Sequence, residues 1–479
     1  MKILIVHFRS APRADSTADG SATTNESAGT DGVSLEIAKR TAILEEMGNE
    51  VAVCSAYPWA DIAVPELEFE NELPVQMMKD LFRPHEREGL EDGVLERRFE
   101  SQKNALLVRF RKLFGDFSPD LAFVHNVLCL PIHAAATVAL TEWIKETKLP
   151  CAGIHHDILN EGAYQFVPTC PLAEDLLASA FPPRLSNLRH WTINKRNRRA
   201  LSERGFEAGL IHDTMDFSQS LSRFERIGLR ETLRARWGIK EEEIVLLLST
   251  RIVANKQAEI AGDLCKAVEE LKSQFIGRRL SGGRLVSKET GVHLVLAGRP
   301  ERAFLGYRDA VFAHFGDLGI RWSYVGDEVF PRRDPTGRGY SLYPDTYAIA
   351  DFGLYPSRWE GFGNQFLEIV ASRLPAAVFE YPVFIEDIAP FGFRIVSLGR
   401  ETESPEGAGV LRRLPSNRLE EAARGIWETL THPDDAAQSC ERNLELANAN
   451  FGLPVLQEHL REILEWARSI DGAGTSNTL

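Results

Sequence analysis

Ile244-Val245-Leu246-Leu247-Leu248 carries an apolar side chain at every position, so a strand built from it must be covered on both faces. Runs of this kind recur along the chain, separated by segments of helical periodicity. Ile3 to Val6 is the first. After a polar stretch from Ser10 to Thr30, Asp31-Gly32-Val33 opens a helical pattern that closes at Gly48 and leads into Glu50-Val51-Ala52-Val53-Cys54. Strand, loop, helix and strand make a βαβ unit, the building block of a doubly wound parallel sheet. Further runs at Asp120 to His125, Cys151 to His156, Trp191 to Asn194 and Gly209 to Ile211 complete a first half. A second half starts near Trp237 and continues from Ile244 through Val292 to Gly298, Trp322 to Val325 and Asp351 to Tyr355.

At 479 residues the chain exceeds what a single core of ordinary size holds. The pattern predicts an α/β protein of two doubly wound domains, 1–215 and 216–450, facing across a cleft. A terminal helix in 451–479 is expected to pack back on the first domain and to end in a polar tail. Ligands of such sheets bind beyond the carboxyl ends of the strands.

The balance of 55 Lys plus Arg against 69 Asp plus Glu gives a net charge of -14, which argues against a nucleic-acid partner. It also requires a locally built positive site for any anionic ligand. Six scattered cysteines with no Cys-x-x-Cys pair read as buried thiols rather than as a zinc site or disulfide framework. The start is too briefly apolar for a signal peptide and no stretch reaches membrane-spanning length, so a cytoplasmic location is expected. From Leu95 to Phe114, Arg97, Arg98, Lys103, Arg109, Arg111 and Lys112 accompany Phe99, Leu106, Phe110 and Leu113 at helical spacing. Such a helix can lie on an anionic membrane; a domain helix with a solvated basic face is the favoured reading.

Ser357-Arg358-Trp359-Glu360-Gly361-Phe362-Gly363-Asn364-Gln365-Phe366-Leu367-Glu368 follows a buried strand and runs into a helical pattern. Its glycines allow close backbone approach, and the helix start offers free N–H groups to an anion. Glu360 and Glu368 suit hydroxyls, because carboxylates accept charge-assisted hydrogen bonds. Upstream, Arg251 and Lys256 lie in the loop after the first strand of the second half, where fixed cations can stabilise a leaving group. In the first half, Gly32 starts a helix, and His155-His156-Asp157 and His125-Asn126 end strands. Adjacent residues point to opposite sides of a strand, so a metal site of His155, His156 and Asp157 is disfavoured.

Residues 360–368 resemble the Glu-x7-Glu signature of the family 4 retaining glycosyltransferases, and Arg251 with Lys256 is similar to that family's Arg-x4-Lys pair. The resemblance implies a GT-B architecture of two Rossmann-like domains. It assigns Glu360 to the donor hexose and Glu368 to the nucleotide ribose. Phe362, Gly363 and Asn364 would lie beside the hexose and diphosphate, Arg251 and Lys256 on the diphosphate, and Gly32 near the donor phosphates. This chain has Gln257 where the family usually has glycine, and Asp31 in place of one glycine of a Gly-Gly pair. The family places a histidine near the reacting centre: His156 is the candidate and His155 its rival. His125, Asn126, Asp157 and Tyr164, with Asn160 and Glu161, are candidates for the acceptor side. Longer stretches, including Glu380-Tyr381-Pro382-Val383, resemble the branch that contains mannosylglucosylglycerate synthases.

The resemblance implies a hexosyltransferase that moves glucose or mannose from a nucleotide diphosphate sugar to a small soluble acceptor such as a sugar or glycosylglycerate. It implies retention by a front-face route. With no Asp-x-Asp pair in the sequence, no metal and no other cofactor are expected. Three alternatives stay open: a nucleotide-sugar 2-epimerase on the same fold, a lipid-acceptor transferase at a membrane surface, and a non-catalytic regulator that keeps the donor pocket.

Overall fold

The computed structural model describes residues 1–12, 32–159, 165–330, 339–404 and 409–474, the last four as backbone alone. The chain forms two compact units, Met1–Thr214 with Leu453–Leu479, and Met215–Gly452.

The first unit holds strands β1 (Lys2–Val6), β2 (Glu50–Ser55), β3 (Ile62–Ala63), β4 (Leu121–His125), β5 (Cys151–His155), β6 (Leu188–Thr192) and β7 (Ala208–Leu210). They form one sheet in the order β3-β2-β1-β4-β5-β6-β7, and every pairing is parallel. Ile3 pairs with Val51 on one side and Leu121 on the other, so β1 is central and the order reverses between β1 and β4. The apolar runs explain this arrangement: all of β4 and β5 is buried, as strands covered on both faces require. Helix Gly32–Glu46 turns Ile37, Ile43 and Leu44 inward and is followed by Gly48 at φ +81°, where a side chain would be strained. Helix Leu453–Gly474 belongs to this unit; its Leu456, Leu460, Ile463 and Leu464 share a core with Ile3, Ile5, Ile37 and Leu44.

The basic helix spans Asp92–Phe117. Its Phe99, Leu106, Phe110 and Phe114 lie in the core beside Trp143 of helix Ala134–Thr147. Lys103 pairs with Glu100 and Glu142, Arg109 with Glu66 and Arg111 with Glu146. The apolar face is covered by the unit itself, and part of the basic face is neutralised. Among the described residues, no helix is long and apolar enough to cross a membrane.

The second unit repeats the plan with β8 (Ile244–Leu248), β9 (Val292–Leu296) and β10 (Arg321–Tyr324). A small pair, β11 (Val329–Phe330) and β12 (Tyr340–Ser341), precedes β13 (Phe352–Tyr355), β14 (Ala376–Val378) and β15 (Val396–Ser397). The main sheet runs β10-β9-β8-β13-β14-β15, again all parallel, with its reversal between β8 and β13. Both sheets therefore have the doubly wound Rossmann-like order, whose crevice opens beyond the central strand and its crossed-over neighbour. All six cysteines are buried and free.

Candidate functional site

In the second unit, the loops beyond β8 and β13 carry the charged residues singled out in the sequence. After β8 the chain passes through Ser249, Thr250 and Arg251, makes a 3-10 turn at Ala254–Lys256, and enters helix Ala258–Leu271. Gln257 joins turn to helix at φ +51° and ψ +51°, a left-handed conformation that glycine adopts most readily. The loop path is thus one that suits the usual glycine, and Gln257 adopts it, its Nε2 directed at Thr402 Oγ1, 3.4 Å away.

Lys256 Nζ meets Glu360 Oε1 at 2.5 Å, with 6% and 11% of their side chains exposed. The loops are tied by backbone as well: Arg358 N–H donates to Asn255 O at 2.8 Å, and Asn255 Nδ2 donates to Trp359 O at 3.1 Å. Burial pulls the Lys256 ammonium below its ordinary pKa; Glu360 opposes that shift and Arg251 adds to it. Arg251 itself is half exposed and paired with Glu301. Gly298 permits this loop to sit where it does, since a Cβ there would lie 1.8 Å from the Thr250 carbonyl oxygen.

Glu368 lies in the second turn of helix Asn364–Ala371. Tyr347 donates its hydroxyl to Glu368 Oε2 at 2.6 Å and also meets Ser249 Oγ at 2.6 Å. This chain links the end of β8 to the second glutamate of the motif. Gly363 precedes the helix, and a Cβ there would come within 2.6 Å of the Tyr381 hydroxyl. That hydroxyl donates to Phe362 O at 2.5 Å, and the Phe362 ring packs edge-on against Phe451. Phe362 thus presents backbone, not its ring, to the loop region. Thr250 Oγ1, Ser357 Oγ and Asn364 Oδ1 are buried without a hydrogen-bond partner, an uncommon state that a bound polar ligand would relieve. An open cavity of about 890 Å³ lies at the amino-terminal end of this sheet, lined in part by Glu243, His293 and Arg321. Its groups already bond one another: Arg321 to Glu243 at 2.7 Å and His293 Nδ1 to Glu243 Oε2 at 3.3 Å.

In the first unit, the corresponding strand ends gather histidines. His7 Nδ1 bonds His125 O at 2.7 Å, and His125 Nδ1 lies 3.2 Å from His156 Nε2. Asn126, at φ +57°, accepts from the backbone N–H of His156 and Asp157 and donates to Asp157 Oδ2 at 2.9 Å. His156 Nδ1 lies 3.6 Å from Asp213 Oδ1. His155 points the other way and bonds His190 at 2.9 Å inside the sheet. Burial, with the Arg40 charge behind it, drives His125 and His156 well below the ordinary histidine range. Burial raises Asp157 against the Asn126 bond, and burial with the Glu36 charge raises Asp213 to about 8.

His125, Asn126, His156 and Asp157 are therefore brought together, whereas His155 is not. Gly32 begins its helix and is exposed. Tyr164, Asn160, Glu161 and Asp31 lie outside the described residues. The sequence reading did not single out Tyr347, Gly298, Asp213 or Arg40. The available signals were a glycine two residues beyond a buried strand for Gly298, and a lone arginine on the apolar face of an amphipathic helix for Arg40. No group of three His, Cys, Asp or Glu that could hold a metal ion occurs among the described residues.

No family model matches the chain. A mannosylglucosylglycerate synthase of Petrotoga mobilis is 31% identical over 344 residues, covering 71% of this chain and 77% of that protein. A mannosylglucosylglycerate synthase of Thermotoga maritima is 28% identical over 472 residues, covering 97% of this chain and all of that protein. Among solved structures, a sucrose-phosphate synthase from Thermosynechococcus elongatus is similar with a TM-score of 0.59 at 14% identity, over 98% of this chain and 99% of its own. The strand orders, the paired loops beyond β8 and β13, and these relatives agree: the chain belongs to the GT-B glycosyltransferase family that includes the mannosylglucosylglycerate synthases.

Proposed function

We propose that the protein is a retaining hexosyltransferase that moves glucose or mannose from a nucleotide diphosphate sugar to a hydroxyl of a small soluble acceptor, such as a sugar or glycosylglycerate, in the cytoplasm. The observation that supports this reading is the buried Lys256–Glu360 pair, beside Arg251 and three unbonded polar atoms at the carboxyl end of β8 and β13.

As the bond to the anomeric carbon breaks, negative charge grows on the diphosphate. Arg251 and Lys256 supply fixed positive charge there, and in a low-dielectric setting such charge acts strongly on a developing anion. The free N–H groups at the start of helix Asn364–Ala371 add to it. Glu360 accepts hydrogen bonds from hexose hydroxyls, and Glu368, held by Tyr347, accepts them from the ribose. The departing phosphate oxygen takes the acceptor's proton on the face it leaves, which gives retention. With side-chain cations on the diphosphate, the reaction needs no metal ion. On the first unit, which this reading makes the acceptor side, His156 is neutral near pH 7 and acts as a hydrogen-bonding group rather than as a cation. The names of the relatives support a glycerate-bearing sugar as acceptor.

The test is product analysis with UDP-, GDP- and ADP-hexoses, each with and without glucosylglycerate, in the presence and absence of EDTA. A hexosylated acceptor with the anomeric configuration of the donor, formed equally in EDTA, is the expected result. Free epimerised sugar formed without acceptor would assign the epimerase reading, and binding without turnover the regulator. An inverted product, or activity lost in EDTA and restored by magnesium or manganese, would overturn the retaining or metal-free part.

A further inference from the structure

Arg40 is completely buried on helix Gly32–Glu46, and none of its three guanidinium nitrogens has a hydrogen-bond partner. An ion pair with Glu36 at 3.3 Å lacks hydrogen-bond geometry, and Glu36 Oε1 is engaged by Lys39 and by Thr214 N–H. Around it, His125 Nε2, Asp213 Oδ1 and Thr214 Oγ1 are likewise buried and unbonded. Guanidinium has five N–H donors in a rigid fork, and leaving them all unmet in a protein interior is unfavourable enough to require an explanation. His125, His156 and Asp213 stand at or just beyond the carboxyl ends of β4, β5 and β7, where doubly wound sheets receive ligands. Side chains of a helix lean toward its amino terminus, which carries Arg40 toward that same end.

We infer that this cluster is a binding site for the anionic group of the acceptor, with Arg40 the residue that receives it. The inference rests on the hexosyltransferase reading for the word acceptor, but the anion site itself stands on the geometry. Burial keeps His125 and His156 neutral near pH 7 and Asp213 protonated below about 8. Lys39 already bonds the Glu36 carboxylate, so the Arg40 guanidinium keeps its donors and its positive charge for an anion. A carboxylate or a phosphomonoester on a sugar supplies both the negative charge and the two oxygens that the planar fork binds at once. Neutral polyols offer neither.

The experiment compares three acceptors, glucosylglycerate, the neutral glucosylglycerol and glucose 6-phosphate, by calorimetry on the protein alone and by initial rates with a nucleotide sugar. Wild type is expected to bind one of the anionic acceptors at least tenfold more tightly than the neutral one. Tighter binding of glucosylglycerate assigns a carboxylate; tighter binding of the sugar phosphate assigns a phosphomonoester. Arg40→Met is close to isosteric but leaves Glu36 with Lys39 alone, so it should lower stability as well as shift the anionic-to-neutral KM ratio by tenfold or more towards the neutral acceptor. Arg40→Lys keeps the charge without the fork and should fall between, which also covers a Met variant that does not fold. Equal affinity for charged and neutral acceptors in wild type, or an unchanged ratio in the variants, would mean that only water and Glu36 serve Arg40 and would overturn the inference. Absence of transfer to all three acceptors would instead count against the hexosyltransferase reading, while calorimetry still reports on the anion site.

Discussion

Lys256 and Glu360 meet across the loops beyond β8 and β13, 104 positions apart in sequence and nearly sealed from water. A buried pair of this kind behaves differently from a surface one: removing one partner strands the other charge at a cost of about 3–5 kcal/mol, whereas replacing both with well-packed apolar groups is often neutral. Lys256→Ala and Glu360→Ala should each lower Tm by roughly 6–20 °C, since about 1 kcal/mol moves a unit of this size by ~2–4 °C. Each should also lose about 10²–10³ in turnover, Lys256 by analogy with removing one donor from an oxyanion site and Glu360 because the hexose loses a charged acceptor. The decisive variant is Lys256→Met with Glu360→Leu, which should recover much of the stability and none of the activity. Recovery of both would reduce the pair to a structural clamp.

Arg251 shares its charge with Glu301, and both side chains are about half exposed. Exposed ion pairs contribute about 0–1 kcal/mol, so the carboxylate competes only weakly with an arriving diphosphate. Glu301→Gln should therefore tighten binding of the nucleoside diphosphate by up to about fivefold, with little change in Tm. Arg251→Ala should weaken it and lower turnover by about 10²–10³. Calorimetric titration with UDP and GDP measures the first effect; weaker binding in Glu301→Gln would show that Glu301 serves the ligand and not the arginine.

Gly298 and the Thr250 carbonyl approach so closely that any side chain at 298 must displace the loop that holds Arg251. Overpacking of this kind costs about 1–3 kcal/mol. Gly298→Ala should lower Tm by a few degrees and raise the donor's KM more than the acceptor's. Normal donor kinetics at a lowered Tm would separate this glycine from the site.

Much of the architecture could be read directly because the central strands of each unit are apolar along nearly their whole length. Ile244 to Leu248 and Leu121 to His125 can hardly be anything except central strands, and both are. The motif residues were visible for a similar reason: Arg251 and Lys256 keep a fixed spacing in the loop after β8, and Glu360 and Glu368 in the loop and helix after β13. What spacing does not encode is partnership across the sheet. Nothing in the sequence says that Lys256 is buried against Glu360, that Tyr347 holds Glu368, or that His155 turns to His190 while His156 turns to His125. Gln257 shows the converse. Its identity departs from glycine, yet its backbone takes the left-handed turn that glycine adopts most readily.

Asp213 gives the first unit a pH dependence of definite sign. Burial and the Glu36 charge raise its folded pKa to about 8, against an ordinary value of 3.8. Between these values the folded chain holds a proton that the unfolded chain has released, so raising the pH favours unfolding. The stabilisation is complete below about pH 4 and is lost as pH rises through about 8, at a slope approaching ~1.4 kcal/mol per pH unit within that window. Asp213→Asn fixes the side chain in the neutral state and should remove this slope. Denaturant unfolding of both proteins at pH 5, 6, 7 and 8 isolates the effect of Asp213 and the charges beside it, because groups remote from it contribute equally to the two profiles. The variant should gain on wild type with each step upward and exceed it at pH 8. Parallel profiles would place the Asp213 carboxylate in its ordinary range and put a further negative charge beside Arg40.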